Sequence, residues 1–201
     1  MINNVIFDFG NVLVHFEPSY MVGKYVEDET DRHLLEEVVF DRLYWDRLDA
    51  GTISDKEVIS ECCKRVPERL HTTVEKIYYN WIYNIPEIHG MREIVEDLRS
   101  REDVRLFLLS NISTYFATHA HEIPILKYFD KCVFSAVAGF CKPSREIFEH
   151  LCRECGISPE CAVFIDDSEK NIRGAEAFGI KGYLFDGDAS ALRKHLDSTV
   201  G

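Results

Sequence analysis

The sequence predicts an α/β fold in which a parallel sheet is flanked by helices and a small all-helical segment is inserted near the start. Three observations predict it. Short apolar runs end repeatedly in polar residues, helical apolar stripes alternate with those runs, and the stretch from about His15 to His89 carries helical patterns without a comparable strand. The chain of 201 residues is 46% hydrophobic, enough for a sizeable core, and its 29% charged content with only 11 glycines and 6 prolines argues against disorder or a fibrous repeat.

Val5-Ile6-Phe7-Asp8 is the first strand-like run, closed by a carboxylate. The insert follows it. There Val58, Ile59, Cys62, Cys63 and Val66 share one helix face, opened by the capping box Ser54-Asp55-Lys56-Glu57, and Val74, Ile77, Tyr78, Trp81, Ile82 and Ile85 share another. Phe40 and Trp81 are expected in the core of this bundle. Beyond the insert, Met91, Ile94, Val95 and Leu98 fall at i, i+3, i+4 and i+7 and predict a helix. Arg105-Leu106-Phe107-Leu108-Leu109-Ser110 predicts a second strand and Cys132-Val133-Phe134-Ser135 a third. Ile147, Phe148, Leu151, Cys152 and Cys155 form another helical stripe, and Ala162-Val163-Phe164-Ile165-Asp166 is a fourth strand. A helix from Ser168 as N-cap to Gly179 as C′ residue leads to a fifth strand at Gly182-Tyr183-Leu184-Phe185-Asp186. The expected division is a core of residues 1–14 and 90–201 with a helical cap of residues 15–89. In such sheets ligands bind beyond the carboxyl ends of the strands, where the polar residues of these runs cluster.

The formal net charge of −12 would repel a phosphate backbone, so neither nucleic acid nor an anionic membrane is an expected partner, and any phosphate bound needs local positive charge. The N-terminus has no basic region and meets Asp8 after a very short apolar run, unlike a signal peptide or membrane span, so a cytoplasmic location is expected. Seven cysteines, an odd number, then read as reduced core thiols. Cys152-Arg153-Glu154-Cys155 lies late in a predicted helix, where a redox or zinc CxxC would need a turn or a second ligand pair.

Four motifs occur at strand ends or helix starts: Asp8-Phe9-Gly10-Asn11-Val12-Leu13, Ser110-Asn111, Lys142-Pro143, and Asp166-Asp167-Ser168 with Asn171. In that order they resemble the haloacid dehalogenase superfamily over essentially the whole chain. The residues themselves suit phosphoryl transfer. A carboxylate at a strand end can attack phosphorus and form an acyl phosphate, the role expected of Asp8. Repulsion between that anion and a phosphate demands a divalent cation and fixed donors. Asp8 and Asp167 can supply hard oxygen ligands for Mg²⁺, with Asp166 as an outer-shell or alternative ligand and Asn171 orienting the carboxylates. The resemblance implies the Gly10 backbone carbonyl as a further ligand. Ser110 through its hydroxyl and backbone amide, Asn111 through its amide and Lys142 as a point charge can hold phosphate oxygens, and Lys142 also neutralises charge in the reaction. Asn11 and, by analogy with the family, Trp45 complete the expected substrate set; Tyr44 and Arg47 are further residues of the insert that could face it.

Most phosphatases of this superfamily carry a second Asp two residues after the nucleophile as general acid and base, and here that position is Gly10. The pattern Phe7-Asp8-Phe9-Gly10-Asn11-Val12, with Trp45 through Ser54 in the insert, resembles the branch that includes the alpha-D-glucose-1-phosphate phosphatases, which carry Gly there too. Either a sugar 1-phosphate leaves as a weakly basic oxygen that needs little acid help, or a nearby group substitutes, with His15 and Glu17 as candidates. The resemblance implies a cytoplasmic Mg²⁺-dependent phosphatase of a small phosphorylated metabolite such as a hexose 1-phosphate, monomeric or homodimeric. Two alternatives stand beside it: a metal-independent 2-haloacid dehalogenase, which the acidic pair Asp166-Asp167 opposes, and a weakly active phosphate-binding regulatory protein.

Overall fold

The structure, a computed structural model, describes residues 1–83 and 85–200; Asn84 and Gly201, which fall within the expected cap and core, lie outside the described residues. Strands β1 (Asn4–Phe7), β2 (Arg105–Ser110), β3 (Lys131–Phe134), β4 (Ala162–Asp166) and β5 (Lys181–Leu184) form one parallel sheet in the order β3-β2-β1-β4-β5. The fifth strand starts and ends earlier than the apolar run suggested, since Phe185 and Asp186 lie beyond it. Helices α1 (Pro18–Gly23), α2 (Glu29–Val39), α3 (Arg42–Asp49), α4 (Asp55–Lys64) and α5 (His71–Asn80) follow β1. After them come α6 (Met91–Ser100), α7 (Thr114–His119), α8 (Ser135–Ala138), α9 (Arg145–Cys155), α10 (Glu169–Phe178) and α11 (Ala189–Thr199).

Side-chain alternation along the strands divides the core in two. Val5 and Phe7 of β1 join Leu106, Leu108, Val163 and Ile165 in a cluster with Met91, Ile94 and Leu98 of α6 and Leu192 and Leu196 of α11. Ile6 points the other way, with Phe107, Leu109 and Phe164, onto Ile147, Phe148 and Leu151 of α9 and Ile172 and Ala175 of α10. Both faces of the sheet are therefore covered, as continuous apolar strands require. The helices α1–α5 gather a third cluster of their own, with Val22, Leu35, Leu48, Val58, Cys62 and Ile77 buried in it. Its α4 begins at the capping box, where Ser54 accepts from the Glu57 N–H and the Glu57 carboxylate accepts from the Ser54 N–H. Cys152 and Cys155 are free thiols on α9 whose burial pushes each up to about 11, and among the described residues neither joins a group of three side chains able to hold a metal.

Gly174 on α10 is where the core meets the Lys142–Pro143 loop, because a Cβ there would lie 2.7 Å from the Pro143 carbonyl oxygen and 2.8 Å from its Cβ. Glycine alone lets the helix come this close. Gly174→Ala is expected to lower stability by about 1–2 kcal/mol, overpacking being partly offset by better helix propensity, and urea unfolding would measure it.

Candidate active site

The sheet order places β1 beside β4 while the crossovers from β1 run the other way to β2, so a crevice opens between the carboxyl ends of β1 and β4. Asp8 leaves β1 there, its N–H donating to the Ile165 carbonyl at 2.9 Å. One carboxylate oxygen, Oδ1, accepts from the Phe9 N–H at 2.7 Å and from Lys142 Nζ at 2.8 Å. Burial pushes the Asp8 carboxyl up to about 6; Lys142 opposes that push and Asp166 adds to it.

Lys142 is the hub of this crevice, because its ammonium also donates to Asp166 Oδ2 at 2.7 Å, and its side chain is only 1% exposed. Burial alone would strip its charge, yet the two carboxylates hold it above its ordinary value and keep it a cation. Its loop is stapled to the end of β2: the Lys142 N–H donates to Asn111 Oδ1 at 2.8 Å and Asn111 Nδ2 donates to the Lys142 carbonyl at 3.0 Å. The side-chain amide of Asn111, expected on phosphate, is thus committed to positioning Lys142, and its backbone is what remains for a ligand.

Asp166 closes β4 wholly buried, and both its oxygens are occupied. Oδ1 accepts from the Ser168 N–H at 2.8 Å and Asn171 Nδ2 at 3.0 Å, while Oδ2 accepts from Lys142 and from Asn171 at 3.1 Å. The neighbouring Asp167 is exposed to the crevice, where Asn11 Nδ2 donates to it at 3.2 Å. Asn11 can turn the chain here because it adopts φ 55°, a left-handed conformation asparagine tolerates better than most residues. Burial raises the Asp167 carboxyl, with the Asn11 bond opposing and Asp166 adding. Asp8, Asp166 and Asp167 each offer an oxygen, all within 4.8 Å of one another. Three hard donors with one ammonium carry an excess of two negative charges when ionised, which fits a divalent cation such as Mg²⁺.

A cavity of about 390 Å³ joins these groups. Asp8, Gly10, Asn11, Trp45, Ser110, Asn111, Lys142 and Asp167 all line it, and Asp166 lies beneath them. From the helical insert, α3 presents Arg42, Trp45 and Asp49, spaced i, i+3 and i+7 on one face. Trp81 lines the cavity as well as packing in the core, its ring 5.3 Å from that of Trp45, and the Trp45 indole is fixed by donating to the Val39 carbonyl at 2.7 Å. Tyr44 does not face the cavity: it sits on the opposite side of α3 in the insert's own core, and Arg47 lies outside the lining too. His15 and Glu17 are likewise absent from it, His15 bordering a separate depression with His89 and Gly187. Arg42, Asp49 and Lys170 of this lining were missed from the sequence, although the i, i+3, i+7 spacing around Trp45 marks two of them.

A model of the haloacid dehalogenase-like hydrolases matches residues 2–179. A curated relative, D-ribitol-5-phosphate phosphatase of Bacteroides thetaiotaomicron, is 24% identical over 91% of this chain and 91% of its own. Among solved structures, a predicted haloacid dehalogenase-like hydrolase from Porphyromonas gingivalis superposes with a TM-score of 0.71 at 24% identity, covering 98% of each chain. A haloacid dehalogenase family enzyme of Bacteroides thetaiotaomicron, solved with magnesium and inorganic phosphate, gives 0.67 at 20% identity over 94% of this chain and 96% of its own. With the family match spanning most of its length, this chain belongs to the haloacid dehalogenase-like hydrolases.

Proposed function

We propose that the protein is a Mg²⁺-dependent phosphatase that hydrolyses a small sugar or polyol phosphate, a hexose 1-phosphate or pentitol phosphate among the candidates, through a phosphoaspartyl intermediate at Asp8. The observation that carries this reading is the Asp8 carboxylate held 2.8 Å from Lys142 Nζ, within reach of Asp166 and Asp167 and open to a cavity edged by Ser110 and Asn111. A free oxygen of Asp8 attacks phosphorus, the ester oxygen departs, and water then attacks the acyl phosphate to release phosphate and restore the carboxylate. Lys142 offsets charge on the transferring group, and Ser110 with the Asn111 N–H offers donors to its equatorial oxygens. Asp8, Asp167 and the Gly10 carbonyl would hold Mg²⁺, with Asp166 and Asn171 behind them; bound there, Mg²⁺ would neutralise and polarise phosphoryl oxygens.

Residues 15–89 act in this reading as a cap over the core of residues 1–14 and 90–201, their own buried cluster making them a unit and α3 bringing substrate contacts to the crevice. The cavity of about 390 Å³ is at the small end of ligand pockets, suited to a metabolite. Arg42 and Lys170 at its edge supply the positive charge that an acidic chain needs around a phosphate. The polyol phosphate named for the curated relative supports the same substrate class.

A panel of hexose 1-phosphates, D-ribitol 5-phosphate and 2-halocarboxylates, assayed with and without chelator, tests the reading. Phosphate release is expected to fall at least about 100-fold on chelation and to return with Mg²⁺. Halide release that survives chelation would replace phosphatase by dehalogenase.

A further inference from the structure

We propose that Asp49 of the cap is the general acid and base of this site, giving a proton to the departing ester oxygen and taking one from the attacking water, in place of the carboxylate that Gly10 lacks. The inference rests on the phosphatase reading above. Asp49 ends α3 and lines the same cavity as Asp8, yet it is only 6% exposed and its Oδ1 is buried without a hydrogen-bond partner. A carboxyl with an unsatisfied buried oxygen is costly to keep for structure alone, and this one belongs to a residue that lines the cavity of the nucleophile.

Its placement is set by the core. Ser135 Oγ donates to the Asp49 carbonyl at 2.6 Å and Cys141 Sγ to the same oxygen at 3.3 Å, and a Cβ on Gly51 would lie 2.8 Å from the Ala136 carbonyl oxygen. The end of α3 is therefore clamped against α8 and the loop that carries Lys142, so its carboxyl keeps its position relative to the nucleophile. Burial pushes the Asp49 carboxyl up to about 7. The groups that face it divide: Arg42 and Lys142 oppose the shift, Asp46 and Asp8 add to it, and the Cys141 thiol, itself raised by burial, is neutral beside it.

The steps balance. As an Asp8 oxygen bonds to phosphorus and the ester P–O bond breaks, the Asp49 carboxyl transfers its proton to that oxygen and an alcohol leaves. The Asp49 carboxylate then accepts a proton from water as the water oxygen bonds to phosphorus, the acyl P–O bond to Asp8 breaks, and Asp49 is again protonated.

The test measures phosphoenzyme formation in single turnovers with p-nitrophenyl phosphate, phenyl phosphate and D-ribitol 5-phosphate, leaving groups of rising basicity. Asp49→Asn keeps the shape of the side chain and its backbone clamps. It is expected to slow the phenyl and ribityl esters about 10²–10⁴-fold but p-nitrophenyl phosphate less than about tenfold. Wild-type kcat/KM for the phenyl ester is expected to fall above about pH 7, a limb nearly absent with p-nitrophenyl phosphate; this arm needs no variant to fold. Equal slowing of all three esters, no slowing of any, or a wild-type limb independent of the leaving group would overturn the proposal. A wild-type protein that forms no phosphoenzyme from any of the three, with Asp8 intact, would overturn the phosphatase reading itself and this inference with it.

Discussion

Asp8→Asn is expected to lower phosphate-ester turnover by at least about 10⁴-fold while leaving the protein folded. The amide has nearly the shape of the carboxylate and can still accept from the Phe9 N–H through its oxygen, but it cannot form an acyl phosphate. Lys142 keeps Asp166 as an ion partner in the variant. Stability should move in the opposite direction from activity. Because burial lifts Asp8 from its ordinary 3.8 to about 6, the folded state holds a proton that the unfolded chain has released, and ionising Asp8 costs stability. That cost is absent only below about pH 3.8, grows as pH rises through the interval to 6, and is complete above about pH 6. Asparagine never ionises, so metal-free Asp8→Asn is expected to be about 1–3 kcal/mol more stable than wild type at pH 8, with the gap closing toward pH 4. Urea unfolding at the two pH values and a phosphoenzyme trap at pH 7 measure both halves; turnover above about 1% of wild type would remove Asp8 from the nucleophile's position.

Much of this site is legible without coordinates because a parallel sheet converts sequence position into spatial position. Asp8, Ser110 and Asp166 each end or follow an apolar run, and parallel strands bring such ends to one edge. The helical side of the crevice is less legible for a physical reason. Helix α3 has 8 residues and carries aromatic residues at both Tyr44 and Trp45, so the apolar pattern alone leaves open which face meets the insert's own core. Packing decides: Tyr44 and Leu48 turn inward, and Arg42, Trp45 and Asp49 are left facing the crevice. Asp49 was hidden by a second circumstance, since an aspartate at a helix end reads as solvated, whereas here the close approach of α3 to α8 buries it. The role of Asn111 depends on the same kind of long-range contact, a paired hydrogen bond to a loop 31 residues away.

Lys142→Met is expected to have the largest effect on stability, about 3–5 kcal/mol at pH 8, together with a loss of turnover of at least about 10³-fold. Methionine fills similar space and removes the only ammonium seen between Asp8 and Asp166 among the described residues, 2.8 and 2.7 Å from their oxygens. Asp166 keeps the Ser168 N–H and Asn171, but Asp8 retains just the Phe9 N–H on its Oδ1. Two carboxylates would then face each other where water is largely excluded, and Asp8 would hold its proton to still higher pH than the value near 6 it has beside the lysine. The penalty is therefore greatest at alkaline pH, where the folded state must ionise Asp8 or forgo the negative charge the unfolded chain carries, and it shrinks as pH falls toward the ordinary value of 3.8, below which Asp8 is protonated in both states. Thermal unfolding at pH 5 and pH 8 separates this from simple loss of packing, which would shift both equally. A variant as stable as wild type at pH 8 would mean that the ammonium does not hold the two carboxylates together, and the nucleophile would need another source of positive charge to approach a phosphate.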